Sequence, residues 1–314
     1  MRQFHLQDLT ALYNYRHQVI TLDCGYTYTR GGHLLGTSLL FEQLSPERNA
    51  FLGIEIEPFS RSKLLGQLSM DADSHTAQLN FLAPDTHATA NAMKLLIEGL
   101  CKQAGEKGAV CVRADVEVGD AVFSSLKDQH FRTYDRLRIW NLPPQVTFHR
   151  QLESAWSATI ENDLIGIRHL YASLTPPLVQ AAQPLLPAAM PDMVFWQEGE
   201  ILGYMESVVG PAGIFLKPTL HPAIQDDAGR ILYQSLQHYF PLMGRPVFVA
   251  VPSYQGWLEA ILYKLQAEVV SLRSLMVRYL AQPLRLPEME TAMRSLEKVR
   301  MRPSHFQGQG GDDC

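Results

Sequence analysis

The order of strands and helices in this chain can be read twice. A strand ends in Phe81-Leu82-Ala83-Pro84, a helix follows, and the strand Val110-Cys111-Val112-Arg113-Ala114-Asp115-Val116 comes next. A second helix leads into the strand Arg136-Leu137-Arg138-Ile139-Trp140. Roughly 135 residues later the order returns, a period too long for a solenoid repeat. Phe215-Leu216-Lys217-Pro218 ends a strand, a helix covers 228–239, and Val247-Phe248-Val249-Ala250-Val251 is the next strand. A helix over 256–266 and a strand over 274–280 close the second unit. The chain therefore reads as two copies of one α/β domain fold. Its 314 residues fit two domains of about 150 residues each.

The boundaries follow from punctuation. Pro143-Pro144 ends the first unit, giving 1–142, a linker over 143–158, a second unit over 159–283 and a charged tail over 284–314. A helix over 290–300 and a disordered end over 307–314 are expected in that tail. Apolar content of 46% and charge of 19% are those of a soluble globular protein. A net charge of −5 with no basic run argues against a nucleic-acid partner. Residues 1–8 do not read as a signal peptide, and no apolar run reaches the roughly 18 residues of a membrane helix. Cys24, Cys101, Cys111 and Cys314 are scattered, which fits reduced thiols and a cytoplasmic protein.

Within the first unit, Asp8 is expected to cap a helix that turns Leu9, Leu12 and Tyr13 inward. Residues 25–36 read as a loop and 37–44 as a short helix. Strands are expected over 49–56, 64–70 and 76–82. Ala92, Leu95, Leu96, Gly99 and Leu100 form one helical stripe. Alternation along 110–117 predicts a strand with one solvated face. In the second unit a helix is predicted over 160–174, a hairpin over 194–208, and a helical stripe through Ala228, Ile231, Leu232, Ser235, Leu236 and Tyr239. The uniformly apolar strand over 247–251 should be central.

Helix, three-stranded meander, helix, strand, helix, strand resembles the GNAT acetyltransferase fold. Leu126-Lys127-Asp128-Gln129-His130-Phe131, then Tyr134, is similar to that family's "LYEKLGF" ending. Leu262-Tyr263-Lys264-Leu265-Gln266-Ala267 resembles it again. The chain thus resembles tandem GNAT proteins over about 1–142 and 159–283, which implies two mixed twisted sheets flanked by helices.

The resemblance implies acetyl-CoA or another acyl-CoA as cofactor and a small-molecule amine as acceptor. Backbone N–H groups at a helix start would hold the pyrophosphate. In the first half the matching positions are Leu82, His87, Ala88, Thr89, Ala90, Asn91 and Ala92, with Ala90 replacing a glycine. In the second half Gln225 and Ala228 match, but Arg230 takes a small residue's place and Asp226 and Asp227 would repel phosphate. The family's acid, a tyrosine of the last helix, has Leu126 at its place in the first half and Tyr263 near it in the second. Base candidates are Glu55, Glu57 and Glu206. Solvated strand faces, and a tyrosine on a half-buried helix face with its hydroxyl in water, account for the same residues.

Other motifs fail. The glycines around Gly31 and Gly36 have P-loop spacing, but Thr37 stands where the lysine must be. No HExxH, GxSxG or metal-ligand clustering is present. Trp257, after the buried strand, reads as helix packing. Two functions remain: an acyl-CoA-dependent N-acyltransferase, or a non-catalytic tandem protein binding a small ligand or a partner, with a purely structural pseudo-dimer as a third. The enzyme requires an open V between the fourth and fifth strands of a unit. A V filled by side chains favours its rivals.

Overall fold

The computed structural model of the chain describes residues 1–3, 8–15, 17–31, 48–56, 63–71, 75–84, 90–143, 155–185, 191–239 and 244–280. Residues 1–280 form one unit. Its first half runs β1 (Arg2–Gln3), α1 (Leu9–Asn14), β2 (Ile20–Thr21), α2 (Cys24–Arg30), β3 (Arg48–Ile56), β4 (Lys63–Asp71) and β5 (Thr76–Ala83). It continues through α3 (Ala90–Glu106), β6 (Cys111–Glu117), α4 (Ala121–Asp128) and β7 (Arg132–Leu142). The second half runs β8 (Trp156–Ala158), α5 (Leu164–Leu174), α6 (Pro177–Ala182), β9 (Met193–Gln197), β10 (Glu200–Val209) and β11 (Ile214–Leu220). It ends with α7 (Ala228–Gln237), β12 (Val247–Pro252), α8 (Glu259–Lys264) and β13 (Glu268–Tyr279). The order is the repeated mixed α/β order read from the sequence.

The two halves end their last helices in the same way. His130 and Gln266 both take left-handed backbone, at φ 67° and 58°. Phe131 N–H returns to Leu126 O and Ala267 N–H to Leu262 O, both at 3.0 Å. This is the αL helix stop, in which a non-glycine residue tolerates positive φ because the returning bonds hold it. The equivalence pairs Leu126 with Leu262.

Two apolar cores lie on one face of the sheet. Ala92, Leu96 and Leu100 of α3 and Leu126 of α4 pack on Val112, Ala114 and Val116. Ile231, Leu232 and Leu236 of α7 and Leu262 of α8 pack on Val247, Val249 and Val251. The helical stripes predict these faces well, except that Leu95 stays 42% exposed at the edge of its stripe. Each buried Leu or Val contributes about 1.5–3 kcal/mol.

The opposite face departs from expectation. The alternating residues of β6 are solvated only at one end: Cys111 is fully buried beside Ala182 and Val277, Arg113 and Asp115 are half-buried, and Glu117 is exposed. Residues 25–30 of the expected loop belong instead to α2, because Asp23 accepts the Tyr26 N–H at 2.9 Å and nucleates the turn. Tyr28 of α2 then stacks on Phe215 and leans on Phe248 of the second half. Asp8 does not cap α1. Its buried carboxylate instead pairs with Arg2 and Lys63, and Tyr13 points outward at 63% exposure. Of the expected linker, 144–154 lie outside the described residues and Trp156–Ala158 is strand. The expected helix over 37–44 and the tail over 284–314 also lie outside them.

All strands join one sheet, in the order β1-β3-β4-β5-β6-β13-β7-β12-β11-β10-β9-β8, with β2 added on β5. The last strand of each half thus crosses over. β13 pairs with β6, and β7 pairs with β12. The two exchanged strands pair antiparallel with each other, from Glu268 opposite Asn141 to Val277 opposite Arg132. Among the described residues no helix is long and apolar enough to cross a membrane.

Strand exchange predicts that neither half completes its sheet alone. Separately expressed fragments 1–142 and 155–280 should lack a cooperative thermal transition, and mixing them should restore one. Cooperative unfolding of either fragment by itself, followed by circular dichroism, would contradict this pairing.

Candidate functional site

The sheet opens at two places, one per half. β5 and β6 are parallel only across Thr76–Cys111, Ala77–Val112 and Gln78–Arg113. β11 and β12 are parallel only across Ile214–Val247, Phe215–Phe248 and Leu216–Val249. Beyond those pairs the strands part, and each half carries a splayed V at the carboxyl ends of its parallel strands. Ligands of α/β sheets bind at such a place.

The first V is filled by the chain itself. β2 enters it antiparallel to β5, with Ile20 opposite Leu82 and Thr21 opposite Phe81. Leu22 bridges both arms: its N–H donates to Asn80 O at 2.8 Å, and its carbonyl accepts from Asp115 N–H at 2.9 Å. The Gln78 side chain donates to that carbonyl as well, at 2.7 Å. The Leu22 side chain is fully buried in the α3 core. Asp115 also accepts the Cys24 N–H at 3.2 Å. Arg273, on the exchanged strand β13 and only 4% exposed, reaches Thr21 O at 3.4 Å. Burial lowers the Arg273 pKa, but neighbouring groups that include Asp115 more than offset this, and the cation is retained. Burial drives the Cys24 thiol well above its ordinary pKa, so it is no nucleophile. Three hydrogen bonds at about 1 kcal/mol each and about 2 kcal/mol for Leu22 hold the segment. A ligand displacing it would bind roughly 10³- to 10⁴-fold more weakly.

The second V is closed differently. Ile214 N–H donates to Pro246 O, and Leu220 N–H to Gln255 Oε1 at 3.3 Å, so even-numbered residues of β11 face the V. Pro218 faces it too and has no N–H to offer. The strand was expected to end at Pro218 but runs through it, because β11 has already left β12 and no ladder bond is lost. Gln255 is 1% exposed and spans the mouth. In the following turn the N–H groups of Ala223, Ile224, Gln225, Asp227 and Ala228 all have internal acceptors. Asp226 and Asp227 stand beside them. Their carboxylates oppose the positive N–H cradle a pyrophosphate needs.

The sequence-derived residues distribute as follows. Leu82 lies against β2, and Ala92 is 2% exposed in the α3 core. Asn91 is exposed on the first turn of α3, which Ala90 opens. His87, Ala88, Thr89 and Glu57 lie outside the described residues. Glu55 pairs with the Met1 amino group at 2.5 Å. Tyr263 is 76% exposed on the outer face of α8; the inward position belongs to Leu262, the partner of Leu126 in the repeat. Tyr263 is therefore turned away from both clefts. Glu206 alone joins a polar cluster.

That cluster lies on β10, β11, α5 and the segment after β12. Glu206 and Lys217 face each other across the β10–β11 ladder, Nζ to Oε1 3.4 Å. Burial lowers the Lys217 pKa, but Glu206 and Tyr254 more than offset it, and the ammonium is held above its ordinary value. Burial pushes Tyr171 up to about 12 and raises Tyr254 and Tyr204, so all three stay neutral hydroxyls. Tyr171 donates to Gln183 O at 2.5 Å, and Ser253, next to Tyr254, bonds Asp135 of the exchanged strand β7. Sequence reading missed Lys217 and the tyrosines. A lysine inside an apolar strand, Phe215-Leu216-Lys217-Pro218, was the available signal.

The sequence matches no family model and no curated protein. Solved structures share the fold. A GCN5-related N-acetyltransferase from Sphaerobacter thermophilus is 11% identical, with TM-score 0.55 over 88% of this chain and 94% of that one. A protein of Pyrococcus horikoshii described as an acetyltransferase is 11% identical, with TM-score 0.54 over 89% of both chains. A tandem GNAT protein from the clavulanic acid biosynthesis pathway is 11% identical over 76% of this chain and 85% of its own, TM-score 0.49. The chain has the GNAT acetyltransferase fold.

Removing the clamp on the first V should be costly. Arg273→Leu leaves Glu117 and the Thr21 carbonyl without their cation, an expected loss of about 2 kcal/mol and a Tm about 4 °C lower. An unchanged Tm in differential scanning calorimetry would show that Arg273 does not hold this segment.

Proposed function

We propose that this chain is a non-catalytic tandem GNAT-fold protein that binds a small ligand rather than transferring an acyl group. The observation that carries the reading is the occupied first V, where 20–22 hydrogen-bond to both arms. The second V supports it: Gln255 takes the Leu220 N–H, Pro218 offers none, and the turn before α7 carries the acidic Asp226 and Asp227. Neither cleft suits acetyl-CoA or another acyl-CoA. The family acid is lacking as well, since Leu126 and Leu262 take its place and Tyr263 points to solvent. The half-exposed Glu206, beside Lys217, offers the ligand a polar site.

One observation favours the acyltransferase reading in the second half alone: its V is closed by a single side chain, not by main chain. Under that reading Glu206 is the base for a small amine. Calorimetric titration with acetyl-CoA and CoA, on the wild type and on Gln255→Gly, separates the two. No binding up to about 1 mM, a limit near −4 kcal/mol, is expected for both proteins. Micromolar binding by the wild type, or binding gained by the variant together with acetylation of an amine, would overturn the non-catalytic reading.

A further inference from the structure

The Lys217–Glu206 pair is incompletely satisfied in a specific way. The Lys217 side chain is 20% exposed and that of Glu206 41%, so the pair is buried at its ammonium end and open at its carboxylate end. Their 3.4 Å separation is longer than the roughly 2.7–2.9 Å of a tight charge-assisted bond. Glu206 is the only acidic partner of Lys217 among the described residues, and Lys217 the only basic partner of Glu206. A lysine ammonium carries three donors and a carboxylate about four acceptor positions. Both ions therefore keep unused bonding capacity, in a place where burial makes unused capacity expensive.

The surroundings narrow what could use it. Tyr171 of α5 and Tyr254 after β12 approach Lys217 from two other elements closely enough for their hydroxyls to sense its charge. Tyr171 is committed to the Gln183 carbonyl, whereas Tyr254 stands beside Lys217 with the Thr175 hydroxyl as its hydrogen-bond neighbour. Tyr204 lies beneath at 1% exposure. A simple anion drawn to Lys217 meets the Glu206 carboxylate, and a simple cation drawn to Glu206 meets the ammonium. At a few ångströms like charges repel by several kcal/mol at the effective dielectric of a protein surface. Only a molecule carrying both charges a short distance apart gains from both groups.

Resting on the reading of this chain as a ligand binder, we infer that Lys217 and Glu206 form the floor of a site for a small zwitterion of amino-acid type. The ligand carboxylate accepts from Lys217 Nζ and the Tyr254 hydroxyl. The ligand ammonium donates to the Glu206 carboxylate from the open side.

The test is calorimetry on the full chain with the common α-amino acids, β-alanine and 4-aminobutyrate, and with propionate and propylamine as single-charge controls. At least one zwitterion should bind, neither control should, and Lys217→Met and Glu206→Gln should each weaken binding at least about tenfold, or 1.4 kcal/mol. The exchanged pair Lys217→Glu with Glu206→Lys should recover part of that loss, which separates a charge requirement from misfolding. Absence of binding by every zwitterion up to about 10 mM, near −3 kcal/mol, overturns the site. Equal binding of either control, or undiminished binding by both folded single variants, does so too. Acetylation of a bound zwitterion on adding acetyl-CoA would overturn the non-catalytic reading while leaving the site in place.

Discussion

The antiparallel pairing of β7 with β13 is the contact on which the rest of the unit depends. One strand further out on either side, between β5 and β6 and between β11 and β12, the sheet turns parallel, and each parallel junction survives for only three residue pairs before the strands part. A sheet with two such openings has little ladder of its own to hold its halves. The central pair supplies the missing continuity, since β13 also carries seven pairs to β6 and β7 six to β12. Backbone donors that would otherwise be orphaned at four strand edges are satisfied within one exchange. Helices follow the same crossing. α2 of the first half lies on β11, and the segment after α6 reaches β7 through Gln183 and Tyr134.

Because the last strands are exchanged, each opening is furnished by both halves. Arg273 comes from the end of the chain and sits over the segment that fills the first V. Asp135 comes from the first half and bonds Ser253 at the rim of the second. Each opening is therefore lined in part by a strand of the other half.

Much of the fold was legible in the sequence because helical stripes and the paired helix endings depend on local periodicity. The segments that hold the His130 and Gln266 turns were matched through their resemblance to one family ending. The exchange was not legible: strand neighbours are set by tertiary pairing, and β7 and β13 have the same alternating pattern whichever partner they take. The filling of the first V escaped for a related reason. Ile20-Thr21-Leu22 is too short to announce a strand, and only its two flanking arms make it one. Tyr263 was read as standing near the family's tyrosine position, one residue out of step with the strand that follows. The bonds returning to Leu126 and Leu262 show that the inward position lies one residue earlier.

The manner of closure separates the two clefts chemically. In the first, main chain replaces ligand: every exposed donor and acceptor of the arms that Leu22 reaches is matched by a peptide group, and an apolar side chain is sunk into the core beside it. Reopening that cleft would strand buried peptide groups, at about 1–3 kcal/mol each. In the second, one amide side chain satisfies one N–H, and a proline removes the need to satisfy another. Nothing there has to unfold for a small molecule to enter from the Glu206 side. The chain thus keeps its solvent-accessible polar chemistry in the half where closure is a matter of side chains. In the other half the same geometry has become part of the core.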